Sequence, residues 1–548
     1  MYLEFNEYCE IAISKLANIR ANEAFKKHED FFFSSIANNN AIETDRQLPE
    51  IYSMMPPRSI WPNPNEHFRN VSNVTTINEW RIVKAIENSW GDHNLRWFSL
   101  LYEFLVSSYN LYSSGFISNP KFCFIPKDKS KNLWRPITLY SLSDRMNSSL
   151  WAKDLLSIVD KDADSSLLAD SGVVFRNNWY REETCLNKHH SVFELIIRYW
   201  KQHYYKSGRP IYIAEADIKG FYDNVNKNVI RNWFAAKNLL MPIYLTNYLD
   251  SYNFYEMLLG ESEKVNKPVK NYKADMQALD PNFDPLNYGI AQGGALSCVL
   301  ANIVFEPVDK AIEALASGTD LIYLRYCDDM ILMSVDRDLV SAATDTYYRI
   351  CKELFIPVHP AVSVSSYNKD FWAAKSKLPY KWASPVDDGM PWLSFLGYQM
   401  RYDGILRMRP GSLAKEMNAQ KEIVDKVLDR LHRSSLSNEE IVKKSGERLI
   451  NKIENRLYKR VTGYCKVNTS KAEGFSWNKG FELLVKYPCV ENQFKLLDRK
   501  KNKQINRLVK KGFKRPSFRT SYFNTMKIKR SNYLISKDAE INDAKSNL

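Results

Sequence analysis

The sequence lacks several features that mark other classes of protein. Its eight cysteines include no Cys-x-x-Cys pair, which argues against a zinc module and favours a reducing, cytoplasmic setting. No stretch of 18 apolar residues occurs, and the N-terminus carries neither a basic flank nor an apolar run. We therefore expect no membrane span and no signal peptide. No internal repeat is found either.

Positive charge is present but unevenly placed. The 548 residues carry a formal charge of +14 and are enough for two or three domains. Residues 401–548 contain 35 Lys and Arg against 16 Asp and Glu, a net charge of +19, so residues 1–400 carry about −5. This distribution predicts a positively charged partner-binding surface in the C-terminal quarter, which suits nucleic acid as the partner.

The most basic part of that quarter is residues 499–530, which hold 13 basic residues and no acidic one. A solvated charged face would normally intersperse Glu or Asp. Basic charge interleaved with aromatic residues is typical of phosphate contact and base stacking. The aromatic residues here are Phe513, Phe518, Tyr522 and Phe523.

Residues 321–333 read as two short strands joined by a tight turn, because apolar and β-branched residues flank Asp328 and Asp329 on both sides. Adjacent carboxylates raise each other's pKa unless a cation lies between them. The pair therefore fits a site for Mg²⁺, which takes carboxylate and phosphate oxygens. An ordinary hairpin turn is the alternative, since Asp-Asp is common in turns.

Two upstream segments supply partners for this hairpin. Residues 210–223 form a β-type run that ends at Asp217, followed by Gly220 and two aromatic residues. Residues 288–297 contain the glycine-rich turn Gln292-Gly293-Gly294, which runs into a helical stretch. Glycines there let the backbone approach a flat or phosphate-bearing ligand, and the helix N-terminus adds positive potential.

The ordered set of these motifs resembles the palm of a reverse transcriptase: a strand ending in Asp, then Gln-Gly-Gly-x-Leu-Ser, then Tyr-x-Asp-Asp. Residues 122–127, 134–137 and 143–145 are similar to the Ile-Pro-Lys, Arg-Pro-Ile and Asp-Arg motifs of group II intron and retron enzymes. Residues 171–176 lie where those enzymes carry a Phe-Gly-Phe-Arg-like segment, and residues 392–398 resemble their primer grip. The resemblance covers about residues 116–410.

This resemblance implies an α+β fold of the right-hand polymerase type. We expect a helical N-terminal region in residues 1–115, fingers in 116–200, a palm with an antiparallel sheet in 201–400, and a helical thumb with a basic helical C-terminal extension in 401–548. The helical spacing of Ile423, Val427 and Leu431 also favours a helical thumb. Before it, Asp403-Gly404 predicts the turn of a hairpin. Residues 253–285, rich in Lys, Asp, Asn and Pro, look like a surface excursion between two palm motifs.

The resemblance also implies the chemistry, which is attack of a primer hydroxyl on an α-phosphate with the help of two Mg²⁺ ions, or Mn²⁺ in their place. The implied metal ligands are Asp217, the Ile218 carbonyl, Asp328 and Asp329, with the three Asp residues as the catalytic set. Lys375 and Lys377 are alternative proton donors to pyrophosphate. The remaining implied contacts are with the nucleotide: Lys127 and Arg135 to the triphosphate, Phe221 or Tyr222 as the aromatic residue that rejects a 2′-hydroxyl, and Gln292 and Gly293.

The expected nucleic-acid contacts lie in the basic extension. They are Arg499, Lys500, Lys503, Arg507, Lys510, Lys511, Lys514, Arg515 and Arg519.

The function expected from the resemblance is RNA-directed DNA synthesis from deoxynucleotides, with DNA as product and a structured noncoding RNA as partner. No endonuclease, integrase or RNase H signature follows the thumb, and the arrangement looks most like bacterial reverse transcriptases that defend cells against phage. Three alternatives stay open: protein-primed or untemplated DNA synthesis, RNA-dependent RNA synthesis, and a non-catalytic RNA-binding scaffold. The sequence is compatible with a monomer and with a homo-oligomer.

Overall fold

The computed structural model describes residues 3–37, 50–64, 74–118, 121–128, 132–162, 189–266, 269, 271–364, 369–432, 437–445, 447–462, 481–516 and 520–531. The segment 171–176, which resembles a fingers motif, and Arg519 lie outside the described residues. The chain divides into two compact units, and each is described by itself. One unit comprises residues 1–5 and 105–396, and the other comprises residues 6–104 and 397–548.

The first unit, residues 1–5 and 105–396, is built mainly from helices around two small sheets. Its helices are the C-terminal part of α4 (Arg96–Ser114), α5 (Leu142–Asp162), α6 (His189–Trp200), α7 (Phe221–Asn224), α8 (Lys227–Ala236), α9 (Ile243–Ser251), α10 (Phe254–Val265), α11 (Lys273–Leu279), α12 (Ala295–Ala316), α13 (Arg337–Glu353) and α14 (Lys369–Ala373). Its strands are β1 (Lys121–Asp128), β2 (Leu133–Leu139), β3 (Ile211–Ala216), β4 (Ile322–Tyr326), β5 (Asp329–Ser334), β6 (Ala361–Val362), β7 (Ser376–Trp382) and β8 (Trp392–Phe395).

The larger sheet has five strands in the order β4-β5-β3-β7-β6. All of its pairings are antiparallel except that of β6 with β7. Strand β3 lies at the centre, and four of its six residues are apolar and buried. Helices α12 and α13 pack on this sheet, so the sheet is held in the core and its strand ends are fixed. The predicted antiparallel palm sheet is confirmed.

The smaller sheet is the hairpin β1-β2, which carries the predicted fingers residues. Its register pairs Ile125 with Arg135, and an irregularity follows at Pro126. The hairpin is fastened to the palm side of the unit, because the Thr138 N–H donates to the Gln292 carbonyl at 3.0 Å. The edge-to-face pair of Phe122 and Phe254 adds a second contact, with ring centroids 6.0 Å apart.

The second unit, residues 6–104 and 397–548, is mostly helical. Its elements are α1 (Phe5–Ala37), α2 (Glu50–Ser53), α3 (Val74–Asn88), the first part of α4, β9 (Tyr398–Arg401), β10 (Leu406–Met408), α15 (Pro410–His432), α16 (Asn438–Ser445), α17 (Arg448–Thr462), α18 (Phe481–Val485), α19 (Glu491–Val509) and a further helix over residues 522–531. The predicted hairpin at Asp403-Gly404 is confirmed as β9-β10, with Gly404 at φ +88°. None of the described helices is long and apolar enough to cross a membrane.

The helical thumb expected from the apolar spacing is confirmed. Residues at three- and four-residue intervals on α15 and α17 meet residues of α19 in one buried cluster. Such spacing places them on one face of each helix. The cluster comprises Ile423, Val424, Val427, Leu431, Ile441, Leu449, Ile450, Ile453, Leu457, Ile505, Leu508 and Phe513.

The segment 253–285 differs from the predicted surface excursion. It forms α10 and α11, and Phe254, Tyr255, Tyr272 and Met276 are all buried. A Cβ added to Gly289 would overlap the Phe254 side chain, so α10 packs directly against the backbone near the glycine-rich turn. The prediction was wrong because apolar residues at helical spacing bury one face of these helices, although the segment is polar in overall composition.

Candidate active site

Sheet register brings the three predicted catalytic carboxylates together. Ala216, the last residue of β3, pairs with Met330, which directly follows Asp329 on β5. Asp217 therefore leaves the sheet beside the hairpin turn. All three Asp side chains line one cleft of about 380 Å³, together with Lys127, Trp134, Arg135, Pro136, Ile218, Gly220, Phe221, Tyr222, Asp223, Tyr272, Gln292, Tyr326, Cys327 and Lys375.

The carboxylates perturb one another electrostatically. Burial, with a further contribution from the charge of Asp217, raises the pKa of Asp328 above its usual value. The pKa of Asp329 is raised to about 7, by burial first and then by Asp328 and Asp217. Asp329 nevertheless lies on the exposed rim of the cleft, where water screens part of this effect. The site thus holds more negative charge than its own cations neutralise.

The donor set fits a hard divalent cation. All three side chains offer carboxylate oxygens, which Mg²⁺ and Mn²⁺ prefer. The raised pKa values of Asp328 and Asp329 indicate a site that a cation would stabilise. Within the described parts of the chain, however, no group of three or more His, Cys, Asp or Glu is close enough to hold a metal ion as it stands. The chemistry of the residues fits the cation, whereas a closed coordination cage is not preformed.

Lys375 and Lys377, which the sequence left as alternatives, have different environments. The Lys375 Nζ donates to Asp217 Oδ2 inside the cleft, and 57% of its side chain is exposed. The Lys377 Nζ instead pairs with Glu215, with only 8% of its side chain exposed. The Tyr380 hydroxyl donates to the second oxygen of Glu215 at 2.7 Å. Lys375 therefore remains available to the chemistry, and Lys377 belongs to a buried structural pair.

The two aromatic residues after Asp217 also differ in their exposure to the cleft. Phe221 is 3% exposed and stacks on Phe305 of α12, with ring centroids 5.1 Å apart. Tyr222 is only partly buried. Burial is the main cause that raises its pKa, and the neighbouring Cys327, in the turn before Asp328, adds to this effect. Tyr222, of the two, has the open position in the cleft that a nucleotide sugar could contact.

The glycine-rich turn is held by hydrogen bonds from neighbouring elements. The Tyr248 hydroxyl accepts from the Ala291 N–H at 2.8 Å, and Ser297 Oγ donates to the Ala291 carbonyl. Gly293 adopts φ +96°, which a residue with a Cβ rarely does. Gln292 lines the cleft, whereas Gly293 shapes the turn behind it.

Sequence reasoning gave no role to Asp223, although it lies in the same cleft. Its Oδ1 is buried and accepts no hydrogen bond. Burial raises the pKa of Asp223 to about 7, against the opposing charges of Lys127 and Arg135. The only sequence signal for Asp223 is its position at the end of the 210–223 segment.

Tyr272 was also missed, because it lies in the segment read as a surface excursion. Its ring packs on Gly220, where an added Cβ would overlap the ring. Asp275, one turn further along, accepts from Lys219 Nζ at 3.1 Å. Tyr272 of the segment 253–285 thus forms part of the wall of the cleft beside Asp217.

The predicted nucleic-acid contacts in the basic extension fall into an exposed group and a half-buried group. Six lie exposed on the surface: Arg499, Lys503, Lys510, Lys511, Lys514 and Arg515. Lys500 and Arg507 are half-buried, and Arg507 pairs with Asp425 at 2.7 Å. Arg499, Lys503 and Lys510 follow a spacing that places them on one side of α19 and its end.

Two of the aromatic residues interpreted as base-stacking are part of the core. Phe513 is 2% exposed and Tyr522 is fully buried, where Tyr522 stacks on Tyr458 at 5.7 Å. Phe523 lies between Lys495 and Lys527, whose Nζ atoms are 4.7 and 4.8 Å from the ring centroid. The stacking interpretation was therefore wrong for Phe513 and Tyr522, because packing against α17 and α19 uses their apolar surface.

A known protein family matches most of the first unit, residues 1–5 and 105–396, which is therefore named the catalytic unit. The family model for the reverse transcriptase (RNA-dependent DNA polymerase) matches residues 125–399, half of the chain. The chain therefore belongs to the reverse transcriptase family, and it is an RNA-directed DNA polymerase. No curated protein sequence matches it.

Solved structures similar to the chain include two telomerases. Telomerase from Candida albicans in complex with a TWJ fragment of telomeric RNA is 14% identical, with a TM-score of 0.38, over 86% of this chain and 71% of that one. Apo telomerase from Candida tropicalis is 12% identical, with a TM-score of 0.33, over 92% of this chain and 89% of that one.

Proposed function

We propose that the cleft adds deoxynucleotides to a primer, with Asp217, Asp328 and Asp329 as its catalytic carboxylates. The observation that carries this proposal is that carboxylates from two strands and the cations Lys127 and Arg135 of the β1-β2 hairpin line one cleft. A nucleoside triphosphate needs both, cations for its phosphates and carboxylates for the divalent ions that accompany it.

In this reaction the 3′-hydroxyl oxygen of the primer forms a bond to the α-phosphorus and releases its proton to solvent, and the bond from that phosphorus to pyrophosphate breaks. Asp217, Asp328, Asp329 and the Ile218 carbonyl would hold Mg²⁺ or Mn²⁺, which supplies charge stabilisation at the entering and leaving oxygens. Lys375, whose Nζ already contacts Asp217, gives a proton to the leaving pyrophosphate.

The remaining residues of the cleft bind and select the nucleotide. Lys127 and Arg135 hold the triphosphate, Arg135 as a two-pronged donor and Lys127 as a point charge. Tyr222 lies under the sugar and excludes a 2′-hydroxyl, which makes the product DNA. Gln292, next to the fixed glycine turn, contacts the nucleotide or the template base.

The test is the double substitution Asp328→Asn/Asp329→Asn. We expect it to abolish labelled deoxynucleotide incorporation on an RNA template, while the melting temperature does not fall and RNA binding stays unchanged. Asp387→Asn/Asp388→Asn is a matched control, because this second adjacent pair lies in an exposed turn. Incorporation that persists in the first variant would remove these residues from the catalytic role.

We also propose that the exposed basic side of α19 binds a structured noncoding RNA that serves as template. The support is the row Arg499, Lys503 and Lys510, whose exposed cations have no acidic residue among them in sequence. Replacing all three by Gln should weaken RNA binding and reduce its salt dependence by about 2 in the log–log slope, at roughly 0.7 per single-strand phosphate contact.

The control for charge loss is Lys201→Gln/Lys206→Gln/Lys352→Gln, three exposed lysines of the catalytic unit. It changes net charge equally and should leave the slope unchanged. An unaltered slope in the α19 variant would show that this side does not contact the RNA. The RNA that copurifies with the protein, once sequenced, identifies the template if the DNA product is complementary to it. DNA that matches no RNA and stays attached to protein would instead favour protein priming.

For the biological role, we propose defence against phage in the cytoplasm, on the resemblance of the palm and its helical extension to defence-associated reverse transcriptases. The measurement is the plating efficiency of a phage panel on cells carrying the native gene and its neighbouring noncoding region. We expect protection that the Asp328→Asn/Asp329→Asn variant loses. Equal plating on both strains across the panel would contradict this role.

A further inference from the structure

A charged pair is buried directly beneath the catalytic hairpin. Arg325 of β4 and Asp309 of α12 both have fully buried side chains. The guanidinium donates to Asp309 with both prongs, Nε to Oδ1 at 2.9 Å and Nη2 to Oδ2 at 2.6 Å. The Tyr323 hydroxyl donates to the same carboxylate at 2.8 Å, and Nη2 also reaches Asn302 Oδ1 at 3.3 Å.

Stability alone does not explain this pair. Removing two charges from water is costly, and well-packed apolar residues of similar volume commonly stabilise a core equally well or better. A buried Arg-Asp pair is therefore informative when the guanidinium has a further contact that an apolar residue could not make.

Arg325 makes such a contact with the turn that carries the catalytic pair. Its Nη1 donates to the Cys327 carbonyl at 3.1 Å. Cys327 adopts φ +56°, the left-handed region that is unfavourable for a residue with a Cβ. The hydrogen bond holds this peptide in place, and the next residue is Asp328.

The same guanidinium also contacts the segment that carries Tyr222. The Arg325 Cζ lies 4.7 Å from the ring centroid of Phe305. Phe305 in turn stacks on Phe221 at 5.1 Å, and Phe221 is the neighbour of Tyr222. One fixed group thus supports both the hairpin turn and the aromatic residue at the nucleotide.

We propose that Arg325 is a positioning residue for catalysis, which fixes the Cys327 turn so that Asp328 and Asp329 face Asp217. Asp309 and Asn302 hold the guanidinium in the orientation that reaches the Cys327 carbonyl. This inference rests on the proposed function of the three Asp residues. It predicts that the charged pair matters for the metal-binding geometry and not for stability.

The first variant is Arg325→Lys, which keeps the charge but loses the fork that bonds Asp309 and Cys327 together. We expect kcat to fall at least tenfold, with KM for deoxynucleotide and RNA affinity within about twofold of the wild-type values. Binding of Mn²⁺ in the absence of nucleotide, followed by electron paramagnetic resonance, should weaken severalfold. An unchanged kcat and unchanged Mn²⁺ affinity would overturn the proposal.

A second variant distinguishes loss of the Cys327 contact from loss of the fold. Arg325→Met/Asp309→Leu/Tyr323→Phe removes the pair and the hydroxyl that serves it, so no unpaired charge stays buried. It should melt near the wild-type temperature yet show the same loss of kcat and of Mn²⁺ binding. Wild-type kcat in this folded variant would mean that Arg325 only packs.

The matched control is Arg460→Lys, which removes a similar fork in the other unit. Arg460 donates to both oxygens of Glu416 at 3.0 and 3.1 Å, and we expect its kcat and Mn²⁺ affinity to match the wild type. The two proposals can fail separately. A wild-type protein without polymerase activity would contradict the proposed function, whereas the Mn²⁺ comparison still tests Arg325.

Discussion

Replacing Asp223 by Asn should stabilise the protein increasingly as the pH rises towards neutrality. Burial raises the pKa of this carboxyl from 3.8 to about 7 in the folded state, and its Oδ1 accepts no hydrogen bond. The folded protein therefore binds a proton more tightly than the unfolded chain between these two values. The contribution of Asp223 to the free energy of unfolding therefore falls as pH rises from about 3.8 to about 7, and is constant above that window.

The magnitude follows from the width of the window. Between pH 5.5 and 7 the contribution of Asp223 to the unfolding free energy of the wild type decreases by about 2 kcal/mol. This is 1.5 pH units at about 1.36 kcal/mol per unit for a single group. Asn does not titrate, so the variant lacks this loss. Any fixed cost of burying the amide N–H groups is the same at both pH values and cancels from the comparison.

The assay is chemical denaturation of the wild type and the Asp223→Asn variant at pH 5.5 and pH 8. At each pH the unfolding free energy of the wild type is subtracted from that of the variant, and the two differences are compared. The difference should shift by about 2 kcal/mol in favour of the variant at pH 8. Asp387→Asn, in an exposed turn, is the control and should show no pH-dependent difference. A difference for Asp223→Asn that is independent of pH, or that shrinks at pH 8, would refute the reasoning.

Two further predictions concern the catalytic unit. Tyr222→Ala should raise the incorporation of ribonucleotides relative to deoxynucleotides at least tenfold, measured by competition on one template, because the ring that contacts the sugar is removed; an unchanged ratio would exclude Tyr222 as the selecting residue. Lys375→Gln should lower kcat by 10- to 100-fold without changing the melt. Lys377→Met should instead destabilise the fold by about 3–5 kcal/mol, because the buried Glu215 is left without its cation. If Lys377→Met lowered kcat and Lys375→Gln destabilised the fold, the roles given to the two lysines would be exchanged.

The sequence predicted the parts of the site that depend on local pattern. Apolar alternation around Asp217 and around the Asp328-Asp329 pair defined three strand ends, and antiparallel pairing then brings those ends together. The thumb helices followed from apolar residues at helical spacing, whereas the fingers were expected from the resemblance of their motifs. Each of these features is decided by residues close to one another in the chain.

Features that depend on distant partners could not be predicted in this way. Phe221 is in the core because Phe305, 84 positions later, supplies its stacking partner. Lys377 is set apart from Lys375 by Glu215, its partner across the β3-β7 pairing. Phe513 resembled a nucleic-acid contact until the apolar cluster of α15, α17 and α19 buried it.

The segment 253–285 has a practical consequence for protein engineering. Val269 forms a bridge with Trp134 of the β1-β2 hairpin, while Tyr272 packs on Gly220 next to Asp217. Shortening this segment, or inserting a tag or reporter into it, would therefore disturb the triphosphate side and the carboxylate side of the cleft together. The exposed turn at Asp387-Asp388 is the better place for a label, because neither residue lines the cleft.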